Sequence, residues 1–412
     1  MKNLIKRWND ISLVKRIICG LIIGIILGIA IPKATIISLF GDLFIGALRA
    51  VAPILVLFLV MSALSKHEEG KQTNMKRVIG LYLLGTFLAG LTAVISSFMF
   101  PITLKLGESA ASATQVGGIS EVLKQLLMNL VANPVDALLN ANYIGILAWA
   151  ILLGIALRKA PNSVKVSIEA FADAISQIVR WVISFAPLGV MGLIFTTISE
   201  QGLGSLKDYG KLILLLVGTM AFVAFIVNPI ITFIGIRKNP YPLVLKCLKE
   251  SGITAFFTRS SAANIPVNMR LCEQLGLNKD TYSVSIPLGA TINMGGAAVT
   301  ISILALAGAN TMGIQVDFAS AVILSILSAV SACGASGVAG GSLMLVPLAC
   351  SLFGIPNDIA MKIVGAGFIV GVIQDSCETA INSSTDVLYT AVAEMSQKRA
   401  EKTNIQKNAV SE

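Results

Sequence analysis

The sequence predicts an all-α polytopic membrane protein with eight transmembrane helices and two opposed re-entrant helical hairpins. Composition is the first observation: of 412 residues, 55% are hydrophobic and 13% are charged, whereas soluble domains carry roughly 45–50% apolar and about 25% charged residues. The second is a pair of apolar segments that are interrupted by small and polar residues at 257–266 and 331–342. The third is the helix predicted after each interruption, because both helices carry polar residues of a kind that is rare inside a membrane.

Apolar segments long enough to cross a bilayer, about 20 residues each, predict six spans in the first part of the chain. They lie near 12–31, 40–65, 78–104, 142–158, 166–198 and 210–236. The remainder is predicted as a hairpin at 242–276, a span at 280–307, a second hairpin at 317–353 and a last span at 357–395. The weaker segment 119–137 stays open between an amphipathic piece and an extra scaffold helix.

The first apolar segment resembles a secretory signal in having Lys and Arg before it. Its length and the lack of a clear cleavage site favour an uncleaved helix instead. Gly20, Gly24 and Gly28 lie on one face of this helix. Such a small-residue face is suited to close helix packing, so we expect a structural role for it.

Basic residues set the predicted orientation. Connections rich in Lys and Arg are the N-terminus, 66–77, 158–165, 237–249 and the tail, and connections with few are 32–39, 105–118 and 199–208. The positive-inside rule then places both termini in the cytoplasm of a multi-pass inner-membrane protein. The first hairpin enters from the cytoplasm and the second from outside, which makes an inverted repeat of hairpin and helix and predicts a transport site near the bilayer midplane.

The same distribution excludes other classes of protein. The formal charge of +9 comes from 31 basic residues in short connections between apolar segments, so it indicates topology and no nucleic-acid partner. The six cysteines form no C-x-x-C pair, and the chain has a single histidine, His67, in a charged loop. We therefore expect neither a disulfide framework nor a metal centre of Cys and His, and no enzyme active site.

The two interruptions are predicted to close over a ligand. Non-helical backbone at membrane depth is tolerated only where protein or a water-filled cavity satisfies its N–H and C=O groups. Small residues let that backbone approach a ligand closely, and a helix N-terminus favours an anionic group. For one such cluster alone, a tight helix contact is an equal alternative, but two clusters in matching positions favour a functional role.

Polar residues of the last span share one face. Asp375, Thr379, Asn382 and Asp386 fall within an arc of roughly 60° at 100° per residue. Asp375 and Asp386 are separated by about 16 Å of helix rise, so we expect them to serve different ligands. Oxygen ligands around Asp386 suit a hard cation, with Na⁺ and H⁺ both open. The structural alternative is a packed polar seam between helices.

At these residues the chain resembles the dicarboxylate/amino acid:cation symporters, which include the glutamate transporters and the bacterial sodium-coupled serine/threonine transporters. The resemblance covers nearly the whole chain and is densest from about 250 to 390. It is carried by Thr258-Arg259-Ser260-Ser261, by 287–296, by the Gly-rich second interruption and by Asp375-x-x-x-Thr379-x-x-Asn382-x-x-x-Asp386. It implies a homotrimer with the elevator fold of the glutamate transporters, in which a mobile transport domain moves against a static scaffold.

The resemblance also implies a division of the chain. Residues 1–236 would form mainly the scaffold and trimer contacts, with helices near 78–104 joining the transport domain. Residues 237–395 would form the transport core of both hairpins and the two helices that follow them. Residues 396–412 would be a cytoplasmic tail, which its charged composition predicts to be solvated and disordered.

Site roles follow from the resemblance residue by residue. Asp375 would accept the α-ammonium group of the substrate, and Asn382 would bind its α-carboxylate. The implied substrate-binding set is Ser260, Ser261, Asn293, Gly337, Val338, Asp375, Glu378, Thr379 and Asn382. One sodium site would use Asp386, Asn382, Asn293 and the Gly289 carbonyl. Carbonyls near Thr291 and Met294, with the second hairpin, would form another.

Two departures from the family pattern limit the range of substrates that we expect the chain to carry. Members that carry acidic substrates have N-M-D-G-T where this chain has N-M-G-G-A at 293–297. The aspartate that would bind a third cation is therefore missing, and we expect fewer ions to be transported with each substrate. Those members place an arginine against the substrate side chain where this chain has Glu378, which would repel aspartate or glutamate. The role of Glu378 stays open among substrate contact, pairing with Arg259 and protonation.

The predicted function is Na⁺-coupled import of L-serine and L-threonine across the inner membrane. Na⁺ is the expected coupling ion, no organic cofactor is expected, and the expected partners are membrane lipid and two further copies of the chain in a homotrimer. The alternative within transporters is a Na⁺- or H⁺-coupled carrier of dicarboxylates or other neutral amino acids. A channel would use comparable polar faces but needs a continuous pore, whereas opposed hairpins favour alternating access. Linear, uncoupled flux would favour the channel.

Overall fold

The computed structural model describes residues 11–65, 75–104, 124, 127–335 and 340–411. Within these ranges the chain is helical and contains no β-strand. His67 and the predicted connection 105–118 lie outside the described residues. In the weaker segment 119–137, residues 119–123, 125 and 126 also lie outside them, and a short helix, Pro134–Leu139, begins in its later part.

Helices of the first half match the predicted apolar segments closely. They are α1 Leu13–Ala30, α2 Ser38–Ser65, α3 Met75–Met99, α4 Pro134–Leu139, α5 Tyr143–Ala156, α6 Asn162–Ser184, α7 Ala186–Gln201, α8 Ser205–Phe222 and α9 Asn228–Ile236. A π-helical turn, Val223–Val227, joins α8 to α9. The predicted span 166–198 is therefore two helices, α6 and α7, bent by 54°.

Helices of the second half form two helix–turn–helix pairs, each followed by a long helix. They are α10 Tyr241–Cys247, α11 Ile253–Thr258, α12 Ile265–Gln274, α13 Lys279–Ile292, α14 Gly295–Thr311, α15 Phe318–Ala332, α16 Val346–Ser351 and α17 Asn357–Ser411. A π-helical turn, Leu248–Gly252, joins α10 to α11. A 3₁₀ turn, Ser342–Leu345, precedes α16.

Several helices are long and apolar enough to cross a membrane. In the described part of the chain there are 6 by length and composition, or up to 7 if the bent pair of α6 and α7 forms one span. At 14 residues, α5 is shorter than the roughly 20 residues that a bilayer requires. The chain is thus an all-helical, multi-pass membrane protein.

The small-residue face of α1 packs against α7. Gly20, Gly24 and Gly28 are all buried. A methyl group on Gly24 would lie 2.5 Å from the Met191 carbonyl oxygen, and one on Gly28 would lie 2.9 Å from the Ile198 Cβ atom. The predicted close helix packing is confirmed, because no larger residue fits between these two backbones.

The core around α14 and α17 gathers helices from both halves of the chain. α3 packs against α14, α15 and α17, and α8 and α9 also pack against α17. α8 and α9 thus contact the last helix although they lie before the predicted domain boundary at residue 236. By contrast, α2 packs mainly on α5, α6 and α7. The division into scaffold and transport domains itself stays a prediction.

Two details differ from the sequence prediction. The predicted span 280–307 is broken between α13 and α14, where Asn293 and Met294 leave the helix. The tail predicted to be disordered instead continues α17 to Ser411. Its Lys, Glu, Gln and Ala residues favour a helix and it contains no Gly or Pro to end one. An ion pair between Lys398 Nζ and Glu394 Oε1, 2.7 Å long, also stabilises the helix where it leaves the core.

Candidate functional site

The candidate site lies where α17 meets the turns of the two helix pairs and the break between α13 and α14. Asn293 ends α13 with φ −95° and ψ 76°, and Gly295 begins α14 after the non-helical Met294. The two adjacent glycines allow the new helix to start against α17, since a methyl group on Gly296 would lie 2.7 Å from the Glu378 carbonyl oxygen. The break therefore brings polar backbone next to the polar face of α17.

Asn293 connects this break to Asp386. Its Nδ2 atom donates to Asp386 Oδ1 at 2.9 Å, to Thr385 Oγ1 at 2.8 Å and to the Asn382 carbonyl oxygen at 3.3 Å. Asp386 and Asn293 are 0% and 1% exposed. The structure thus brings together two of the predicted sodium ligands and the backbone of a third, Asn382.

The other oxygen of Asp386 is available to a cation. Asp386 Oδ2 is buried and has no hydrogen-bond partner among the described residues. An unpaired carboxylate oxygen in the protein interior is costly unless a cation or donor reaches it. Gly289 lies against this carboxylate, because a methyl group there would be 2.6 Å from Asp386 Oδ1. The donor set of carboxylate and carbonyl oxygens fits a hard cation such as Na⁺.

Tyr82, which was not predicted as a site residue, lines the same place from α3. Its hydroxyl lies 3.1 Å from the carbonyl oxygens of Ser285 and Asp386 and 3.0 Å from Thr390 Oγ1. It is also adjacent to Gly289, where a methyl group would be 2.9 Å from the hydroxyl oxygen. The sequence shows only a tyrosine in a largely apolar span, which periodicity alone cannot assign to a site.

The residues predicted for the second sodium site are placed near the helix break. Thr291 is exposed and its hydroxyl donates to the Leu288 carbonyl at 2.7 Å. Met294 is buried in the break. From the second helix pair, Cys333 Sγ donates to the Ile292 carbonyl at 3.5 Å. The second pair therefore reaches the break, and its tip at 336–339 lies outside the described residues. The second sodium site stays a prediction.

Asn382 presents an amide whose orientation is fixed by the backbone of α14. Its Oδ1 atom accepts a hydrogen bond from the Gly296 N–H at 2.7 Å. Its Nδ2 atom makes no hydrogen bond with any described residue. Because the oxygen is engaged, the nitrogen is the group that remains for an acceptor such as a carboxylate. This arrangement suits the role that the sequence assigned to Asn382.

Asp375 lies two helical turns earlier and has a different set of partners. Arg259 Nε donates to Asp375 Oδ2 at 2.5 Å, and the Gly340 N–H donates to Asp375 Oδ1 at 3.1 Å. The carboxylate therefore joins the turns of both helix pairs. Asp375 and Asp386 thus have separate partners, and that they serve different ligands stays a prediction.

Glu378 accepts three hydrogen bonds on one oxygen. Thr300 Oγ1, Ser342 Oγ and Gln374 Nε2 donate to Glu378 Oε2 at 2.7, 2.8 and 2.5 Å. Pairing between Glu378 and Arg259, one of the three roles left open, is wrong, because the guanidinium bonds to Asp375. Neutral donors from α14, α17 and the second helix pair hold the Glu378 side chain instead.

The turn of the first helix pair is Arg259–Asn264. Ser260 Oγ accepts from the Ala263 N–H at 3.2 Å, and Ser261 is 2% exposed. Thr379, on the facing helix, uses its hydroxyl to bond the Asp375 carbonyl at 2.7 Å. Gly337 and Val338, predicted to close over the ligand, lie outside the described residues.

A polar cluster that sequence reasoning missed attaches this turn to α17. Asn268 Nδ2 donates to Ser383 Oγ and to the Ser383 carbonyl, both at 3.0 Å, and Asn264 Nδ2 donates to Ser383 Oγ at 2.7 Å. Ser251, in the π-helical turn, donates to Asn268 Oδ1 at 2.5 Å. All four residues are at most 2% exposed. The spacing of Asn264 and Asn268, one helical turn apart, was the signal available.

Comparisons with known proteins identify the family of this chain. A model of the sodium:dicarboxylate symporter family matches residues 13–396. A protein of Streptococcus thermophilus named Serine/threonine transporter SstT is 64% identical over 400 residues, which is 96% of this chain and 99% of that relative. A Streptococcus agalactiae protein of the same name is 63% identical over 397 residues, again 96% and 99% of the two chains. The chain belongs to the sodium:dicarboxylate symporter family.

Proposed function

We propose that this chain is a secondary active transporter that imports L-serine and L-threonine in symport with Na⁺. The observation that carries the ion coupling is the buried Asp386 Oδ2 atom, which has no partner among the described residues and lies beside the helix break. The substrate class is supported by the relatives of 63–64% identity that are named serine/threonine transporters.

The substrate would lie along α17 between Asp375 and Asn382. Asp375 would supply the negative charge for the α-ammonium group of the substrate. The Asn382 amide nitrogen would donate to the α-carboxylate of the substrate, since its oxygen is already bonded to the Gly296 N–H. Glu378, between them in sequence, places a second acidic side chain where an acidic substrate would carry its own charge. Small neutral amino acids avoid that repulsion.

Ion and substrate sites are coupled through a continuous chain of hydrogen bonds. Asp386 bonds Asn293, which fixes the start of α14, and the Gly296 N–H of α14 bonds the Asn382 side chain. A cation held by Asp386 and neighbouring carbonyls would stabilise this break. The fixed break in turn orients the Asn382 amide for the substrate carboxylate, so each ligand favours binding of the other.

The membrane arrangement that fits this function has eight transmembrane helices, two re-entrant hairpins and both termini in the cytoplasm of the inner membrane. The hairpins correspond to α10–α12 and α15–α16. The chain would form a homotrimer in which the transport domain moves as an elevator past a scaffold that includes α2, α5 and α7. Fewer Na⁺ ions would move with each substrate than in acidic-substrate members, because Gly295 stands in place of the aspartate.

Uptake of radiolabelled L-serine into proteoliposomes tests this function. An inward Na⁺ gradient is compared with K⁺ replacement and with a pH gradient, and liposomes without protein are the control. We expect concentrative uptake only with Na⁺, inhibited by unlabelled threonine and not by aspartate. Inhibition by aspartate would favour the dicarboxylate alternative, and uptake driven by the pH gradient alone would favour H⁺ coupling. No concentrative uptake under any gradient would contradict the proposal.

A further inference from the structure

An apolar groove lies between α3 and α9. Leucines of α3 and isoleucines of α9 form most of its lining, and its volume is about 410 Å³. Ligand pockets in proteins have volumes of roughly 300–1,000 Å³. Three of the lining side chains, Leu84, Ile230 and Ile234, are 45%, 54% and 56% exposed. The groove is therefore large enough for a ligand and open to the surroundings of these helices.

The surroundings of this groove in a bilayer are lipid acyl chains. Both α3 and the stretch Leu206–Ile236, which contains α9, are long and apolar enough to cross a membrane. From Leu81 to Ile95 the groove follows α3 for about 21 Å of helix rise. One leaflet contributes about 15 Å of hydrocarbon. An acyl chain in the groove would thus contact apolar walls over the whole depth of its leaflet.

Two arginines adjoin the lining of the groove. Arg77 precedes Leu81 by four residues, so it continues the face of α3 that lines the groove. Arg237 directly follows α9 and lies three residues after Ile234 of the lining. Both arginines belong to connections that the positive-inside rule places in the cytoplasm. We therefore expect them at the same end of the groove.

Neither guanidinium group has a partner within the described ranges. Arg77 and Arg237 are exposed, and neither side chain forms an ion pair or a hydrogen bond with a described residue. Arg237 also has φ 55°, a left-handed conformation that favours glycine and is a sign of a functional constraint. Guanidinium groups bind phosphate oxygens in a bidentate manner. The two arginines therefore suit the headgroup of a lipid whose acyl chain lies in the groove.

The net charge of these connections indicates the class of lipid. The connection 66–77 contains four basic residues and two glutamates, and 237–249 contains four basic residues and no acidic one. Each basic residue at the membrane surface strengthens binding of anionic lipid by about fivefold. Zwitterionic lipid carries the same phosphate without a net charge, so it gains less. The excess of positive charge therefore favours an anionic phospholipid.

We propose that the groove between α3 and α9 binds an acyl chain of an anionic phospholipid, and that Arg77 and Arg237 bind the phosphate of that lipid. This site is separate from the proposed substrate and cation sites and does not depend on them. Asn228 of α9 accepts a hydrogen bond from the Tyr389 hydroxyl of α17 at 2.8 Å. The bound lipid thus packs against a helix that is attached to α17.

Native mass spectrometry of the delipidated full-length protein in detergent tests this site. Phosphatidylglycerol and phosphatidylcholine with the same acyl chains are titrated separately, and the first bound lipid gives a dissociation constant for each. The charge variant combines Arg77→Gln and Arg237→Gln. Its matched control combines Lys15→Gln and Lys159→Gln, which remove the same charge from exposed positions in connections also predicted to be cytoplasmic.

A second variant tests the apolar part of the site. Ile230→Trp places an indole ring where the acyl chain would lie, and Ile230 is exposed enough to accept a larger side chain without disturbing the core. The matched control is Ile22→Trp, because Ile22 is a similarly exposed apolar residue of α1, at 49%, and does not line the groove.

For the wild-type protein we expect phosphatidylglycerol to bind at least about tenfold more tightly than phosphatidylcholine. The double arginine variant should bind phosphatidylglycerol about 25-fold more weakly, since two basic residues are removed. The double lysine control should keep the wild-type value. Ile230→Trp should weaken binding of both lipids, because the ring fills the groove, and Ile22→Trp should weaken neither.

Three results would overturn the inference. Equal affinity of the wild-type protein for the two lipids, or an equal loss in the arginine variant and the lysine control, would remove the phosphate from Arg77 and Arg237. Unchanged lipid binding in Ile230→Trp would place the acyl chain outside the groove. The same spectra count the protein copies, so if Ile230→Trp dissociates an oligomer and leaves lipid binding unchanged, the groove is a contact with a second copy of the chain.

Discussion

At the scale of single residues, Asp386 carries the strongest prediction. Asp386→Asn keeps the shape of the side chain and removes the charge next to Asn293. Because cation affinity depends on the charge of the ligands, we expect the half-saturating Na⁺ concentration for serine uptake to rise at least about tenfold. Titration of Na⁺ at fixed serine measures this shift in proteoliposomes.

Asp358→Asn is the matched control, since it changes an exposed carboxylate on the same helix, α17. It should leave the Na⁺ titration unchanged. A wild-type Na⁺ response in Asp386→Asn would move the ion site away from the helix break. Loss of Na⁺ dependence in the control would show that the assay reports on α17 as a whole.

Glu378 carries a prediction about selectivity. Glu378→Gln retains an oxygen that accepts hydrogen bonds from Thr300 and Ser342 but removes the charge. Like charges a few ångströms apart repel by about 4 kcal/mol at an effective dielectric constant of 20. We therefore expect the aspartate concentration that halves serine uptake to fall at least about tenfold.

The measurement is competition of aspartate with radiolabelled serine at constant Na⁺. Glu200→Gln, at an exposed position near the end of α7, should retain the wild-type inhibition curve. If Glu378→Gln also keeps wild-type selectivity, the charge of Glu378 does not select the substrate. Its three hydrogen bonds would then serve only to join α14, α17 and the second helix pair.

At the scale of elements, we expect the polar cluster at the first turn to contribute measurably to the free energy of unfolding. Asn268→Ala would remove two hydrogen bonds to Ser383 and leave buried groups without partners. Each such loss costs about 1–3 kcal/mol. We expect Asn268→Ala and Ser383→Ala each to lower the free energy of unfolding in detergent by that amount, and the double variant to lose less than their sum.

Denaturant titration of the four proteins completes the cycle. Asn162→Ala, at an exposed position at the start of α6, is the control and should change stability by less than about 0.5 kcal/mol. Strictly additive losses would mean that Asn268 and Ser383 do not act together. The first helix pair would then owe its position on α17 to apolar packing alone.

Helices were predictable from the sequence where a single pattern, such as the length of an apolar segment, determines them. Apolar length located α1, α2, α3 and the bent pair of α6 and α7, and the small-residue face of α1 correctly indicated close packing. The break at Asn293 and Met294 was not predicted, because apolar residues continue on both sides of it. Contacts from α17 and from Cys333 of the second helix pair satisfy backbone groups there, and no local pattern records such distant partners.

The polar face of α17 at the site was predictable from the sequence, but the ion-pair and hydrogen-bond partners of its residues were not. The helical spacing of Asp375, Asn382 and Asp386 put them on one side of α17, and the structure gives each polar partners there. The sequence could not assign Arg259 to Asp375 rather than to Glu378, since both lie within reach of the same turn. Tyr82 and the partners of Asn268 depend on tertiary contacts, which the one-turn spacing of Asn264 and Asn268 could not reveal.

At the scale of the whole molecule, the helices of the described chain are compatible with either orientation in a bilayer, and the charge of the connections decides between them. Lys238 follows α9 in the basic segment 237–249, and Lys207 lies near the start of α8 in the connection with few basic residues. The apolar stretch Leu206–Ile236 begins beside Lys207 and ends two residues before Lys238. We therefore predict that the two lysines lie on opposite sides of the membrane.

Membrane-impermeant maleimide labelling of intact cells reads this orientation. Lys207→Cys should be labelled from outside, and Lys238→Cys only after permeabilisation, because the positive-inside rule keeps the basic segment in the cytoplasm. Both positions are exposed in the structure, and the unaltered protein, with its own cysteines, gives the background. The reverse pattern would place both termini outside and exchange the entry sides of the two helix pairs. Labelling of both positions in intact cells would contradict Leu206–Ile236 as a membrane span, and with it the eight-helix arrangement.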